Sequence, residues 1–243
     1  MKVRVLIAFW VLLFFGRGAA GAAAPPAGDY DEARKNMVSR QLEGRGLSDS
    51  RVLAAMGRVP RHRFVPPELA PLAYGDHPLP IGAGQTISQP YIVALMTAWA
   101  QLKPGEKVLE VGTGSGYQAA VLSEITAKVF TIEIRPDLAR EAAARLKELG
   151  YARVQVKSGD GYLGWPEAAP FDAILVTAAA PRVPPALTAQ LKEGGRLVIP
   201  LGEPGGSQTL VRLRNLKGEL KEEDRLPVRF VPLVREPAPA PGR

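Results

Sequence analysis

The chemistry with the clearest spacing begins at Glu110-Val111-Gly112-Thr113-Gly114-Ser115-Gly116-Tyr117, with Glu133 standing twenty-one residues after Gly112. Glycines between a strand and a helix let the backbone approach a ligand closely. An acid at the end of the following strand can accept from both hydroxyls of a ribose. Enzymes that bind dinucleotides share such loops, but here the spacing is G-x-G-x-G and not G-x-G-x-x-G, and Glu110 stands two residues before the first glycine. A carboxylate there would repel a pyrophosphate and attract a ligand that carries an ammonium and a sulfonium. S-adenosylmethionine fits that electrostatics, whereas a dinucleotide fits poorly. A third acid, Asp160 in Gly159-Asp160-Gly161, has two readings: a carboxylate that accepts from an adenine amino group, or an ordinary turn aspartate between glycines.

The choice of methyl acceptor is narrowed by what the chain lacks. There is no cysteine, which removes disulfides, cysteine-ligated zinc and the thiolate that C5-pyrimidine methylation needs. The fourth strand ends in Val176-Thr177-Ala178-Ala179-Ala180-Pro181, with no Asn/Asp-Pro-Pro-aromatic sequence to activate an exocyclic amine. His62 and His77 are the only histidines, and no acidic pair flanks them at metal-ligand spacing, so each reads as a structural or surface residue and no metal is expected. Without a well-placed base, the acceptor should already be nucleophilic at neutral pH, as a carboxylate is. The segment GQTISQPY (84–91) carries Thr86, Ser88 and Gln89, more hydrogen-bonding groups than a connector needs. Ser88 could hold a substrate, or could cap a helix starting at Pro90; no Glu or Gln stands three residues on, so a capping box would be incomplete.

Regular elements must position these residues. From Lys107 the pattern reads strand 107–111, helix 116–125, strand 128–134, helix 136–149, strand 154–157, strand 171–177, a short helix 185–191 and strand 196–200. Strands alternating with helices predict an α/β fold with a doubly wound, mostly parallel sheet and right-handed crossovers. Gln208–Val234 alternates like antiparallel strands with a turn at Gly218. Upstream, Asp31–Met56 reads as two short helices around Gly44 and Gly46, prolines 60–80 as irregular chain, and 90–100 as a buried helix. The expected organisation is a signal-like leader (1–24), a linker (25–36), a helical and substrate-loop segment (37–103), the sheet domain (104–234) and a tail (235–243).

At 243 residues with 46% hydrophobic content, the chain can bury one substantial core and is too short for two large domains. The net charge of +7 would suggest nucleic acid, but Lys2, Arg4 and Arg17 lie in the leader; the remaining 28 basic residues face 24 acids and are scattered among them. A solvated surface explains them better than a phosphate track, so no nucleic-acid partner is expected. The leader runs basic, apolar, then small, which is the order of a secretory signal. Its apolar run is too short for a comfortable bilayer span, so no stable membrane association is expected. A start of translation at Met37 is the competing account, and localisation stays open between cytoplasm and export.

LEVGTGSGY (109–117), FTIEI (130–134), SGDGYLGW (158–165), PFDAILVTAAAP (170–181), LKEGGRLVIPLGE (191–203) and RFVPLV (229–234) together resemble the protein-L-isoaspartate O-methyltransferase family. So do MVSRQLEGRGLSD (37–49), VPRHRFVP (59–66) and LPIGAGQTISQPYIVALM (79–96). The glycine loop is common to many methyltransferases; GQTISQPY and the VTAAAP ending are specific to this family. Residues 1–36 depart from it, since the family pattern usually begins near Met37. The resemblance implies a Rossmann-like class I S-adenosylmethionine-dependent fold and methylation of the free α-carboxylate of L-isoaspartyl residues in damaged proteins and peptides. The sequence itself does not give the oligomeric state, and a monomer is the expectation. It implies Ser88 as the catalytic residue. Glu110, Gly112, Thr113, Gly114, Ser115, Gly116, Glu133, Asp160 and Gly161 would hold the cofactor. Thr86, Ser88, Gln89, Ala178 and Ala179 would hold the substrate, in a groove between the 79–90 loop, the Ala178–Ala180 loop and the Arg229–Val234 segment. A small-molecule or RNA methyltransferase on the same sheet, or a binding module keeping a relic pocket, are the alternatives.

Overall fold

The computed structural model describes residues 30–203 and 205–235. The leader expected over 1–24, the first residues of the linker and the tail from residue 236 lie outside them. Tyr30–Asn36, assigned to the linker although the helical pattern starts at Asp31, forms the helix α1, continued by a π-helical turn, Met37–Leu42, whose Met37 and Leu42 are fully buried. Burial of these two side chains anchors the segment to the body of the molecule. α2, Ser50–Arg58, starts where the Asp49 side chain accepts from the backbone N–H groups of Arg51 and Val52, a cap that contributes about 1 kcal/mol.

The Pro-rich stretch holds more structure than its composition predicts. Leu79–Gly82 (β1) and Gln85–Ile87 (β2) form a small antiparallel hairpin, pairing Leu79 with Ile87 and Pro80 with Thr86. α3, Pro90–Ala100, follows with no charged residue, and buries Val93, Ala94, Met96, Thr97 and Ala100.

β3 (Lys107–Val111), α4 (Tyr117–Ser123), β4 (Lys128–Glu133), α5 (Pro136–Glu148) and β5 (Gln155–Ser158) follow one another as expected, and β6 (Phe171–Val176) and α6 (Pro185–Ala189) lead to β7 (Leu191–Leu201). Pro136 opens α5, where its missing N–H costs nothing. β7 begins five residues before the strand expected at Arg196. The register with β6 shifts between Phe171 and Ala173, so Leu191 pairs with Phe171 ahead of the Gly194-Gly195 irregularity. β8 (Gln208–Leu216) and β9 (Glu219–Val228) complete the sheet.

The sheet order is β5-β4-β3-β6-β7-β8-β9; β3 to β7 are parallel, and β8 and β9 antiparallel. The chain builds outward from β3 to β5, then crosses to β6 on the other side of β3. The carboxyl ends of β3 and β6 therefore flank the switch point, where open α/β sheets bind their ligands. One apolar cluster gathers α2, α3 and α4 on one face, with Met56, Met96, Tyr117 and Leu122 in it; a second, around Leu109, Ile174 and Leu197, fills the other.

Candidate active site

At the switch point the backbone of Gly112 has φ of 103°, and a Cβ there would stand 2.4 Å from Thr177 Oγ1. Only glycine fits both the conformation and the space. Thr177 donates toward Gly112 O (2.7 Å) and Val111 O (3.1 Å), and so ties the end of β6 to the end of β3. Gly161 is a second close approach: a Cβ on it would overlap Val111 Cγ1 at 2.4 Å. Gly116 opens α4, and a Cβ on it would press on Leu146 of α5.

Both acids of the loop are buried. Glu133 accepts from Gly114 N (2.9 Å) and Arg135 N (3.1 Å), so its carboxylate braces the glycine loop before any ligand does. It lines a cleft of about 40 Å³ with Gly112, Ile132, Gly161 and Ala178. Glu110 is fully buried, and Oε2 accepts from Thr131 Oγ1 at 2.7 Å. That uses the one Thr131 proton, so Thr113 Oγ1, 2.7 Å away, is the donor to Thr131. Oε1 has no partner among the described residues. Burial pushes the Glu110 pKa up from 4.5 to about 8; the Thr131 hydrogen bond opposes this and Glu133 adds to it. The negative charge expected beside the loop is therefore held back at neutral pH. A carboxyl deprived of water and of a cation keeps its proton.

Asp160 Oδ1 accepts from Tyr162 N at 2.8 Å as the cap of a one-turn helix at 161–163, the bond of a turn aspartate. Its neighbour Gly161 lines the Glu133 cleft. Ser115 Oγ accepts from Tyr117 N at 3.3 Å, and its carbonyl accepts from Arg145.

The helix-cap reading of Ser88 does not hold. The residue capping α3 is Gln89, and no side chain makes a capping hydrogen bond there. Gln89 Nε2 instead donates to Asp76 O at 3.0 Å. Ser88 and Thr86 line a cleft of about 30 Å³ together with Glu110, Gly112, Thr113 and Ser115. The same two residues also line a larger groove of about 290 Å³, whose far wall is Pro227–Val231. Neither hydroxyl bonds to a described residue. Ser88 thus stands where the glycine-loop cleft opens into the groove. Ala178 and Ala179 stand elsewhere than expected. Ala178 faces the Glu133 cleft, and Ala179 is buried, its N–H donating to Val231 O (2.8 Å) and its carbonyl accepting from Leu233 N (2.7 Å). Those bonds fix the 229–234 segment that walls the groove.

Two contributors escaped the sequence. Arg61 is fully buried beneath Ser88: it donates to Ser88 O and Ala73 O, both at 2.7 Å, and lies 4.8 Å over the Tyr117 ring. Burial lowers its pKa to about 10, so it stays charged at neutral pH. Thr177 is the other; its one signal was a lone hydroxyl between Val176 and the alanines. Neither histidine lines these clefts or the groove: His62 stacks on Tyr30 and bonds Tyr74 Oη at 2.8 Å, and exposed His77 sits by Pro78 O. The described residues hold no His/Cys/Asp/Glu cluster suited to a metal, and no helix long and apolar enough to cross a membrane.

A switch-point glycine loop braced by an acid at the end of β4, on this sheet order, defines a class I S-adenosylmethionine-dependent methyltransferase fold. Residues 32–238 match the family model for protein-L-isoaspartate(D-aspartate) O-methyltransferase. A protein-L-isoaspartate O-methyltransferase of Opitutus terrae is 59% identical over 211 residues, covering 85% of this chain and 91% of its own. Another from Nitrosospira multiformis is 55% identical over 236 residues, covering 96% and 98%. A solved protein-L-isoaspartate O-methyltransferase superposes with a TM-score of 0.74 at 32% identity, over 82% of this chain and 65% of that one. A Plasmodium falciparum structure in complex with S-adenosyl-L-homocysteine gives 0.73 at 28%, over 84% and 99%. The chain belongs to the protein-L-isoaspartate(D-aspartate) O-methyltransferase family. The Nitrosospira match covers more than Met37–Arg243 could supply, so residues upstream of Met37 are not peculiar to this chain.

Proposed function

We propose that the protein transfers a methyl group from S-adenosylmethionine to the free α-carboxylate of L-isoaspartyl residues in damaged proteins, and that Ser88 orients that carboxylate. The observation that carries this reading is the position of Ser88: its uncommitted hydroxyl lies at the junction of the glycine-loop cleft and the groove. The site's own features fit S-adenosylmethionine: the close backbone approach at Gly112 and Gly161, Glu133 beside the cleft, and the orphaned buried acceptor of Glu110. Bound there, it supplies an electrophilic methyl group on a sulfonium.

The residues of the chain then bind and orient. Glu133 keeps lone pairs beyond its two backbone bonds and accepts from the ribose. Ser88 and Thr86 donate to the substrate carboxylate, and Arg61 holds the Ser88 backbone still from below. An α-carboxylate titrates at about pH 3 to 4 and is already the nucleophile at neutral pH, so no general base is needed. Neither histidine lines the groove. Catalysis is then mostly alignment along the sulfur–methyl axis. The backbone amide nitrogen then attacks the methyl ester and closes it to a succinimide with loss of methanol, and hydrolysis of the succinimide returns some normal aspartate. The groove beside Ser88 favours a peptide over the small-molecule or RNA alternative, since it extends the site along Pro227–Val231.

The test is single-turnover transfer of radiolabelled methyl to an isoaspartyl peptide, with the aspartyl peptide as control. Transfer to the isoaspartyl peptide alone is expected, at a rate flat from about pH 6 to 8 with cofactor saturating. Equal labelling of both peptides would remove this reading, as would a limb near neutrality that vanishes in His62→Ala or His77→Ala.

A further inference from the structure

Gln118 lies on α4, 6% exposed, and lines the same small cleft as Ser88 and Glu110. Thr97 on α3 fixes which way its amide is turned. The Thr97 hydroxyl donates its one proton to Val93 O at 2.7 Å, so Thr97 Oγ1 can only accept. What meets it at 2.9 Å must be the NH2 of Gln118. The Gln118 carbonyl oxygen is thereby turned away from Thr97, and it has no partner among the described residues. Glu110 Oε1 also has no partner among the described residues, since Thr131 serves only Oε2, and it becomes an acceptor when a cation draws off the proton that burial holds on this carboxyl.

Gln118 and Glu110 thus line one cleft, and each has a buried oxygen without a partner among the described residues. A buried polar atom without a partner is costly to the fold, so such a pair is best explained by a ligand that completes it. The cleft holds about 30 Å³, room for one or two small polar groups. A carboxylate or phosphate would add acceptors to acceptors. A primary ammonium brings three donors and a charge that the Glu110 carboxylate can meet.

We propose that Gln118 is a cofactor-binding residue whose carbonyl oxygen, together with Glu110 Oε1, accepts hydrogen bonds from the ammonium group at the amino-acid end of S-adenosylmethionine. This rests on the methyltransferase reading above. The cleft suits that end of the ligand: it shares Gly112 with the Glu133 cleft and Ser88 with the groove, and so lies between nucleoside and substrate.

The test measures binding, not turnover. Gln118→Met keeps length and packing, removes the acceptor, and leaves the Thr97–Val93 bond intact. By calorimetry, S-adenosylhomocysteine should bind this variant about 10- to 100-fold more weakly than wild type. 5′-Methylthioadenosine, which has the nucleoside and sulfur but no amino-acid end, should bind both equally. Unchanged S-adenosylhomocysteine affinity overturns the assignment, and so does an equal loss for both ligands, which would mark Gln118 as structural. With wild-type protein alone, a homocysteine-end analogue lacking only the amino group should bind about 10- to 100-fold more weakly; equal affinity overturns the proposal without any variant. If wild type binds none of these ligands, the methyltransferase reading itself fails.

Discussion

The glycine loop and the groove wall hold their functional groups in opposite ways. Around the loop most polar groups are already committed, Glu133 to Gly114 and Arg135, Thr113 through Thr131 to Glu110, and Thr177 to the end of β3, and only Glu110 Oε1 and the Gln118 carbonyl stay open among the described residues. On the groove side Thr86 and Ser88 are held through their backbones, by the β1–β2 pairing and by Arg61, and their hydroxyls are free among the described residues. Residues of the first kind carry the fold and the ligand together, whereas those of the second carry only the reaction. Substitutions should therefore separate into two classes, losing stability with binding on one side and turnover alone on the other.

The largest effect should come from Gly112→Ala. Its Cβ would meet Thr177 Oγ1 at 2.4 Å in a backbone with φ of 103°. Strain and overpacking together should cost about 2–6 kcal/mol, lowering Tm by roughly 5–20 °C, and cofactor affinity should fall with it. Retention of wild-type Tm by this variant would break the comparison on the loop side. Ser88→Ala comes next: turnover on an isoaspartyl peptide should fall about 10- to 1000-fold, for one aligned hydrogen bond worth roughly 1.4–4 kcal/mol. Tm should not move, because no cap is lost. Asp49→Ala is the useful contrast; it removes a real cap, and should cost about 1 kcal/mol of stability while leaving turnover intact.

How much of this was legible follows the same division. β3, β4, α3 and α5 matched their sequence periods to within a residue, and the loop acids could be read because strand, glycines, helix and strand are consecutive. The hairpin was not legible: strands of three and four residues carry little periodicity, Pro80 argues against one, and their pairing with each other needs the turn at Gly84. Arg61 looks like a surface cation in a Pro-rich stretch. Its burial depends on two carbonyls, of Ala73 and Ser88, twelve and twenty-seven residues away. Gln118 reads as an ordinary helix residue until Thr97 is placed beside it. Distance along the chain hid the groove side.

Glu110 offers a way to sharpen the comparison on the loop side. Its pKa of about 8 means the folded protein holds this proton at neutral pH, whereas an exposed glutamate near 4.5 has lost it. Because the folded value is the higher one, protonation favours the fold below pH 4.5, and that contribution is lost as pH rises through about 8. If a cationic ligand ionises Glu110 on binding, one proton is released, and affinity rises with pH by up to about tenfold per unit from about pH 6 to 7.5. Calorimetry in buffers of differing ionisation enthalpy counts that proton. Glu110→Gln should flatten the profile. A flat wild-type profile would mean the carboxyl binds as a neutral acceptor.

The smallest effect belongs to Thr86→Val, and it tests whether the groove-side hydroxyls act as a set. Thr86 is exposed on β2, pairs with Pro80 through its backbone, and lines both the small cleft and the groove. Valine keeps the β-branch and the strand and removes only the hydroxyl, so Tm should stay within error. One hydrogen bond with a net contribution of about 0.5–1.5 kcal/mol corresponds to about 2- to 12-fold. If Thr86 holds the substrate in the ground state as firmly as in the transition state, that loss falls on KM and leaves kcat unchanged; if it helps Ser88 aim the carboxylate, it falls on kcat. The alignment mechanism expects kcat to fall, and expects Thr86→Val with Ser88→Ala to cost less than the two single losses multiplied, because two donors to one carboxylate are coupled. Independent effects in that double variant would show that Ser88 orients the carboxylate without Thr86.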